Sequence, residues 1–508
     1  MSDPDLPTAR RLLRSVTLAP VLAATFAILV TANSAGYRFG VSDQAFYIPA
    51  AERIITPSLF PRDAALIDSQ ARLTVSDDII ARIATTTNAS LPTIFFVGYL
   101  LTAAVFAVAV LTIGARYYTS MWTSVALLLA LTFRHHLMNT GVNTFEGYFH
   151  PRVLAFAVGL AAVAACLEGR RNVALALAAA AFVVHPTTGG WFIVWIAVAL
   201  GDRTMPSWRV AAAAAVVGLV GLLAVWIGAP DLFATMDAAW LDVLGSRQYL
   251  FTSEWSWATW TVNLLPPAAL IGLFSVRARR GLVTAAERGV FTGSLALLAI
   301  FLLTLPLVAA HVALAVQFQV SRVLWPIEFL ATVYVIWAVA EGHWLSARQA
   351  RIVPMLLAAI LAVGSATRGA YILAVETHRP LARLDLPDGD WQRVGTWART
   401  STPESAHFLV DPTDLDRAGV SFRVAAGRDI FIEPSKDPSI AMYSRDIAMR
   451  VKERQAALPD FNLVTVDMLR AVTARYGLTH FVTVRKFPLT PVFHSGRLQV
   501  YVLDRPSS

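Results

Sequence analysis

TIFFVGYLLTAAVFAVAVLTIG, Thr93–Gly114, runs for 22 residues without an acid, a lysine, an arginine or a histidine. A helix rises about 1.5 Å per residue, so about 20 such residues reach across the hydrocarbon core of a bilayer. The rest of the chain repeats the theme. Of 508 residues, 56% are hydrophobic and only 15% charged, against about 25% charged in a typical soluble domain. That composition excludes an ordinary soluble protein and predicts a polytopic α-helical membrane protein. Eleven spans are expected: Val16–Ala32, Thr93–Gly114, Ser120–Phe133, Val153–Leu167, Val173–Val184, Trp191–Leu200, Val210–Ile227, Trp257–Val276, Val290–Val316, Val323–Ala340 and Val353–Ala374. The third to sixth fall short of a perpendicular crossing, which protein surroundings tolerate better than lipid does.

A net charge of +8 raises the question of a nucleic-acid partner, but the arginines cluster in short connections between apolar runs. Arg10, Arg11 and Arg14 precede the first span. Arg116, Arg170–Arg171, Arg203 with Arg209, Arg277 with Arg279–Arg280, and Arg348 with Arg351 fall in every second connection. The positive-inside rule accounts for this pattern with a cytoplasmic N-terminus and no nucleic acid. Residues 1–375 then form the membrane domain, and its long first loop, residues 33–92, faces outward. The N-terminus resembles a signal n-region, but no clean cleavage site follows, so the first span is expected to be retained. The single cysteine, Cys166, lies in an apolar run, so no intrachain disulfide is possible.

Composition changes after about Glu376. Apolar alternation in HFLVDP (His407–Pro412), DIFIE (Asp429–Glu433), THFVTV (Thr479–Val484) and LQVYVLD (Leu498–Asp504) predicts strands. Between them DWQRVGTWART, AMYSRDIAMRVKERQAAL and VDMLRAVTARYG carry helical periodicity. Residues 376–508 are therefore expected to form an extracytoplasmic α/β domain. The acids of DLPDGDW and DPTDLD suit turns and N-caps there.

Ionisable groups at or inside spans are functional candidates because burying them in lipid costs several kcal/mol. They converge on the expected outer face: Asp43 and Glu52 in the first loop, Glu146, His150 and Arg152 in EGYFHPR, and His185 in HPTTGGW. Gln319 and Arg322 in VQFQVSRVLW, Glu328, His311 and Arg368 complete the set. Arg322 is suited to gripping a phosphate with two parallel hydrogen bonds, or to snorkelling toward headgroups. Glu328, nearly two turns deeper, is placed to pair with it. His185 either caps its turn or, with Thr187 and Thr188, lines a cavity for phosphate or sugar. Asp43 has the bland alternative of capping the helix that DQAFYIPAAERI begins. The histidine spacings match no standard zinc pattern, so no structural metal is expected.

A cytoplasmic N-terminus, an acid early in a long outer loop, about eleven spans and the tail WQRVGTWARTSTPESAHFLVDP, FRVAAGRDIFIE and YGLTHFVTVR resemble the GT-C superfamily of membrane glycosyltransferases. The tail is similar to those of bacterial GT-C-like proteins of unassigned activity. The resemblance implies transfer of a sugar from a polyprenyl-phosphate donor, with inversion, at the outer face of a bacterial inner membrane. It assigns Asp43 as base and Arg322, assisted by His185, to the lipid phosphate. Gln319, Glu146, His150 and Arg152 are further binding candidates, and the partners are the lipid-linked sugar, membrane lipid and a glycan or protein acceptor. SDQAF carries one acid where many relatives carry a pair, which argues against a divalent cofactor, and no WWDYG-like acceptor motif occurs. The alternative is a non-catalytic scaffold or receptor binding a glycan or partner through its outer domain. A transporter is ranked last, because no internal repeat is visible.

Overall fold

The computed structural model describes residues 18–201, 227, 230–245, 247–342 and 345–503. The expected span at 210–227 and the arginines at 10, 11, 14, 203 and 209 lie outside these residues, Ile227 apart. The chain divides into two compact units: residues 1–37, 97–235 and 246–382 form the first, and residues 38–96, 236–245 and 383–508 the second.

The first unit is built from helices α1 (Leu18–Asn33), α2 (Leu91–Tyr117), α3 (Met121–Ala130), α4 (Pro151–Leu167), α5 (Arg171–Val184), α6 (Pro186–Gly201), α7 (Trp257–Arg279), α8 (Ala285–Ala309), α9 (Leu324–Glu341) and α10 (Ala347–Tyr371). Five stretches are long and apolar enough to cross a membrane: Leu91–Tyr117, Trp257–Arg279, Ala285–Ala309, Val320–Glu341 and Arg348–Glu376. Five other expected spans coincide with shorter apolar helices, α1 and α3 to α6. Caps set several of the starts. Ser120, Ser256 and Thr284 each accept from a first-turn amide, and Ser346 with Gln349 forms a capping box.

Close approaches hold α4, α6 and α8 together. A Cβ at Gly159 of α4 would lie 2.3 Å from the Phe192 ring of α6, and one at Gly293 of α8 would lie 2.4 Å from Trp195. Only glycine lets these helices meet so closely. The Trp195 indole donates to the Val290 carbonyl at 2.7 Å, and Phe156 of α4 stacks on Trp325 of α9 at 3.7 Å. Arg277 has a role beyond basic-loop topology: it is buried, donates to Glu287 at 2.7 Å and to the Tyr117 carbonyl at 2.8 Å.

The second unit contains a five-stranded sheet of β1 (His407–Val410), β2 (Asp429–Ile430), β3 (His480–Thr483), β4 (Pro491–Ser495) and β5 (Leu498–Val502), in the order β2-β1-β3-β5-β4. β1 is parallel to β2 and β3, while β5 is antiparallel to β3 and β4. The central strands β1 and β3 are buried along their whole length, as apolar strands covered on both faces must be. Phe408, Val410, Val482 and Val500 pack with Val394 and Ala398 of the helix Asp390–Ser401.

What joins the segment 38–96 to this sheet is Asp63, which is fully buried. Its Oδ2 accepts from Arg423 Nε at 2.8 Å and from the Ile430 amide at 3.0 Å, and its Oδ1 accepts from Arg450. Burial opposes ionisation of Asp63, but the charges of Arg423, Arg450 and Arg454 outweigh it and hold the carboxyl well below the ordinary carboxylate range. Arg423 continues inward to Asp437 at 3.3 Å. Removing one partner from a buried cluster of this kind costs about 3–5 kcal/mol, because the other charges lose their compensation. Glu52 adds a second tie, to Arg399 at 3.0 Å.

Beside it, Asp429 accepts from the amides of Arg62 and Asp63 at 3.0 and 2.9 Å. Burial, and then the negative Asp63, push its carboxyl up to about 6. The folded chain therefore keeps a proton that an unfolded aspartate releases near pH ~4. Stability drawn from Asp429 is fully present below that value and is lost as pH rises to about 6. Asp429→Asn removes the titration. Thermal unfolding in detergent is expected to show the variant gaining on wild type between about pH 4 and about pH 6.5; a difference that does not vary with pH would contradict this assignment.

Candidate functional site

In the first unit two helices begin with the same dipeptide. His150-Pro151 opens α4 and His185-Pro186 opens α6. Proline suits the first helical position because its missing amide hydrogen would find no partner there. The histidine before it caps the turn: His150 Nδ1 accepts from the Arg152 amide at 3.0 Å, and His185 Nδ1 accepts from the Thr188 amide at 3.3 Å. In each ring the acceptor role of Nδ1 leaves the proton on Nε2. The two rings face one another, with centroids 6.2 Å apart at 66°.

Three further groups gather here. Arg152, buried, donates to Glu146 at 2.6 Å. The charges of Arg152 and Arg322 both act on the half-buried His185. Phe318 packs edge-on against Trp191 at 5.5 Å, which ties the first turns of α6 to the segment carrying Gln319 and Arg322. Gln319 is buried in the left-handed region at φ 48°, and its carbonyl accepts from the Arg322 amide at 2.9 Å. A Cβ at Gly141 would lie 3.7 Å from Arg322 Nη2, so the Val142–Asn143 hairpin borders the guanidinium. Two helix N-termini, two imidazole N–H groups and two guanidiniums, offset by one carboxylate, form a setting for an anion. Glu146, His150, Arg152, His185, Gln319 and Arg322 thus belong to one neighbourhood.

Other candidates lie apart from it. Glu328 does not serve Arg322: its Oε1 meets His135 Nδ1 at 2.7 Å, because the Arg134–His136 loop reaches the first turns of α9. Arg368 donates to the Asn33 side chain at 2.7 Å. His311 sits in a left-handed turn after α8 against the Phe251 ring.

Asp43 belongs to the second unit. It immediately precedes the helix Gln44–Ile55, yet its side chain makes no capping hydrogen bond, so the bland alternative for this residue fails on geometry. Gly40 and Ser42 just before it both have positive φ, +80° and 53°, and a non-glycine residue there is held by its surroundings. Those surroundings include the antiparallel bridge of Val41 to Val420 and the bond from the Gly40 amide to the buried Gln44 side chain at 2.7 Å. The Asp43 carboxylate is partly exposed and lies 3.8 Å from Lys436 Nζ.

The Asp63–Arg423 cluster had no place among the sequence candidates. Its one visible sign was the FR of FRVAAGRDIFIE; nothing in PRDAAL marks Asp63 as its partner. The kinship of the two His-Pro helix starts was legible but is meaningful only once the rings face each other.

No family model matches the chain, and no curated protein matches it. Among solved structures, it is similar to the Archaeoglobus fulgidus oligosaccharyltransferase in the apo form, at 11% identity and a TM-score of 0.48, over 92% of this chain and 70% of that one. A likeness at this level fixes neither family nor activity.

The anion setting makes a direct prediction. Arg322→Gln is expected to weaken binding of inorganic phosphate to the chain in nanodiscs by about tenfold or more, the worth of one charged hydrogen bond. Arg134→Gln, on the neighbouring loop, is expected to leave it unchanged. Equal affinity of wild type and Arg322→Gln in a titration would remove Arg322 from the site.

Proposed function

We propose that this protein transfers a sugar from a polyprenyl-phosphate donor to an envelope acceptor at the outer face of a bacterial inner membrane. The observation that carries the reading is the meeting of two His-Pro helix starts with Arg152 and Arg322 in a chain with membrane-spanning helices. A lipid phosphate is an anion that arrives at such helix ends from within the bilayer. An eleven-span topology with a cytoplasmic N-terminus puts those ends outside, with residues 376–508 as an extracytoplasmic domain.

The chemistry follows from charge. Asp43 takes the proton of the acceptor hydroxyl as its oxygen attacks the anomeric carbon from the face opposite the phosphate. The bond from that carbon to the phosphate oxygen breaks, the electron pair leaves with the lipid phosphate, and the sugar inverts. Arg322, the Nε2–H groups of His150 and His185, and the amides of α4 and α6 oppose the charge growing on the phosphate. Glu146 orients Arg152, and Gln319 sets the turn that carries Arg322. No step in this reading calls for a metal.

Asp43→Asn in membranes supplied with labelled polyprenyl-phosphate sugars is expected to lower the turnover number by about 10²–10⁴-fold, the usual worth of a positioned base. The Michaelis constant for the donor should stay within a few-fold of wild type. Unchanged turnover removes Asp43 as base, and no transfer by wild type from any donor leaves the scaffold reading in its place.

A further inference from the structure

Within the second unit a cleft of about 280 Å³ opens beside Asp43, walled by Arg38, Ser42, Asp416, Glu433, Ser435 and Lys436. Its size falls just below that of small-molecule sites, which run from about 300 to 1,000 Å³. That suits a single sugar ring and is too small for a folded peptide.

The walls have two properties that together select a ligand. First, cations and anions are balanced: Arg38 and Lys436 stand against Asp416 and Glu433. A ligand with net charge of either sign meets as much repulsion as attraction here. A hydroxyl, which donates and accepts at once, uses both kinds of wall. Second, Glu433 is fully buried and half committed. Its Oε1 accepts from the Ser421 hydroxyl at 2.8 Å and the Arg423 amide at 3.1 Å. Its Oε2 accepts no hydrogen bond among the described residues, and the Arg423 guanidinium stands 3.6 Å from it. A buried carboxylate oxygen without a donor is uncommon, and a ligand hydroxyl supplies one.

The cleft is also fixed in place. The bridge of Val41 to Val420 holds one wall against the other, and the Arg423 that neighbours Glu433 is locked by Asp63. A preformed cleft loses little entropy on binding.

We propose that this cleft binds one uncharged sugar residue through its vicinal hydroxyls, with Glu433 and Asp416 accepting and Arg38 and Lys436 donating. On the transferase reading this sugar belongs to the acceptor, and a hydroxyl of it meets Asp43 next to Lys436. That role rests on the transferase reading; the binding itself does not.

The full chain in nanodiscs, without donor, is titrated with the methyl glycosides of glucose, galactose, mannose and arabinose, followed by saturation-transfer NMR. Glucuronate and glucose 6-phosphate serve as charged controls. At least one neutral glycoside is expected to bind, with the charged analogues about tenfold weaker or more, as loss of a charge-assisted hydrogen bond implies. Ser435→Trp, at an exposed wall position, should abolish the signal. Asp416→Ala should weaken it by about 2- to 10-fold, and it keeps the test open if the tryptophan variant misfolds. Silence from all four glycosides, equal or tighter binding of a charged analogue, or binding indifferent to both substitutions overturns the proposal. Neutral glycosides that bind but never receive a sugar from any donor leave the cleft standing and remove the transferase reading.

Discussion

A carboxylate without access to water governs the second unit. Asp63 sits among Arg423, Arg450 and Arg454, and these come from two places along the chain, one just before β2 and two on the helix Arg445–Ala457. An ionised group in such a place is tolerable only when its lone pairs are filled, so its position is fixed to within hydrogen-bond tolerance. That fixes the segment 38–96, the long connection between α1 and α2, against the sheet. The helix Gln44–Ile55 is then held at its far end by Glu52 and Arg399, and at its start by the Val41–Val420 bridge. Asp43 inherits its position from both.

The first unit solves a different problem with related means. Its helices are apolar nearly all round, so their ends are where polarity can be afforded. Two of those ends are capped by histidine rather than by serine or aspartate. A serine cap satisfies an amide and finishes there, whereas an imidazole cap satisfies one amide through Nδ1 and still presents an N–H from the other side of the ring. Arg152 is turned onto Glu146, and Arg322 follows a left-handed turn at Gln319.

Much of this was readable beforehand, and the limits have physical reasons. Apolar length announced α2, α7, α8, α9 and α10, since a run such as Thr93–Gly114 has no other stable home. Period-two alternation marked β1, β2, β3 and β5; β4 was missed because PVFHS, bounded by proline and half exposed, has too few inward positions to show the pattern. The individual polar residues of the anion setting could be picked out as costly near lipid. Their grouping, and the pairing of Glu328 with His135 instead of Arg322, depended on which helix starts meet. Least visible was Asp63, because a lone aspartate between arginine and alanine looks like any solvated loop residue until distant arginines are folded onto it.

The most direct measurement is an electron cryomicroscopy map of the full chain in nanodiscs with a polyprenyl-phosphate sugar bound to the Asp43→Asn variant. The account predicts phosphate density within hydrogen-bonding distance of Arg322 and the His150–His185 pair. Phosphate density elsewhere on the protein, with the His-Pro helix starts unoccupied, would contradict it.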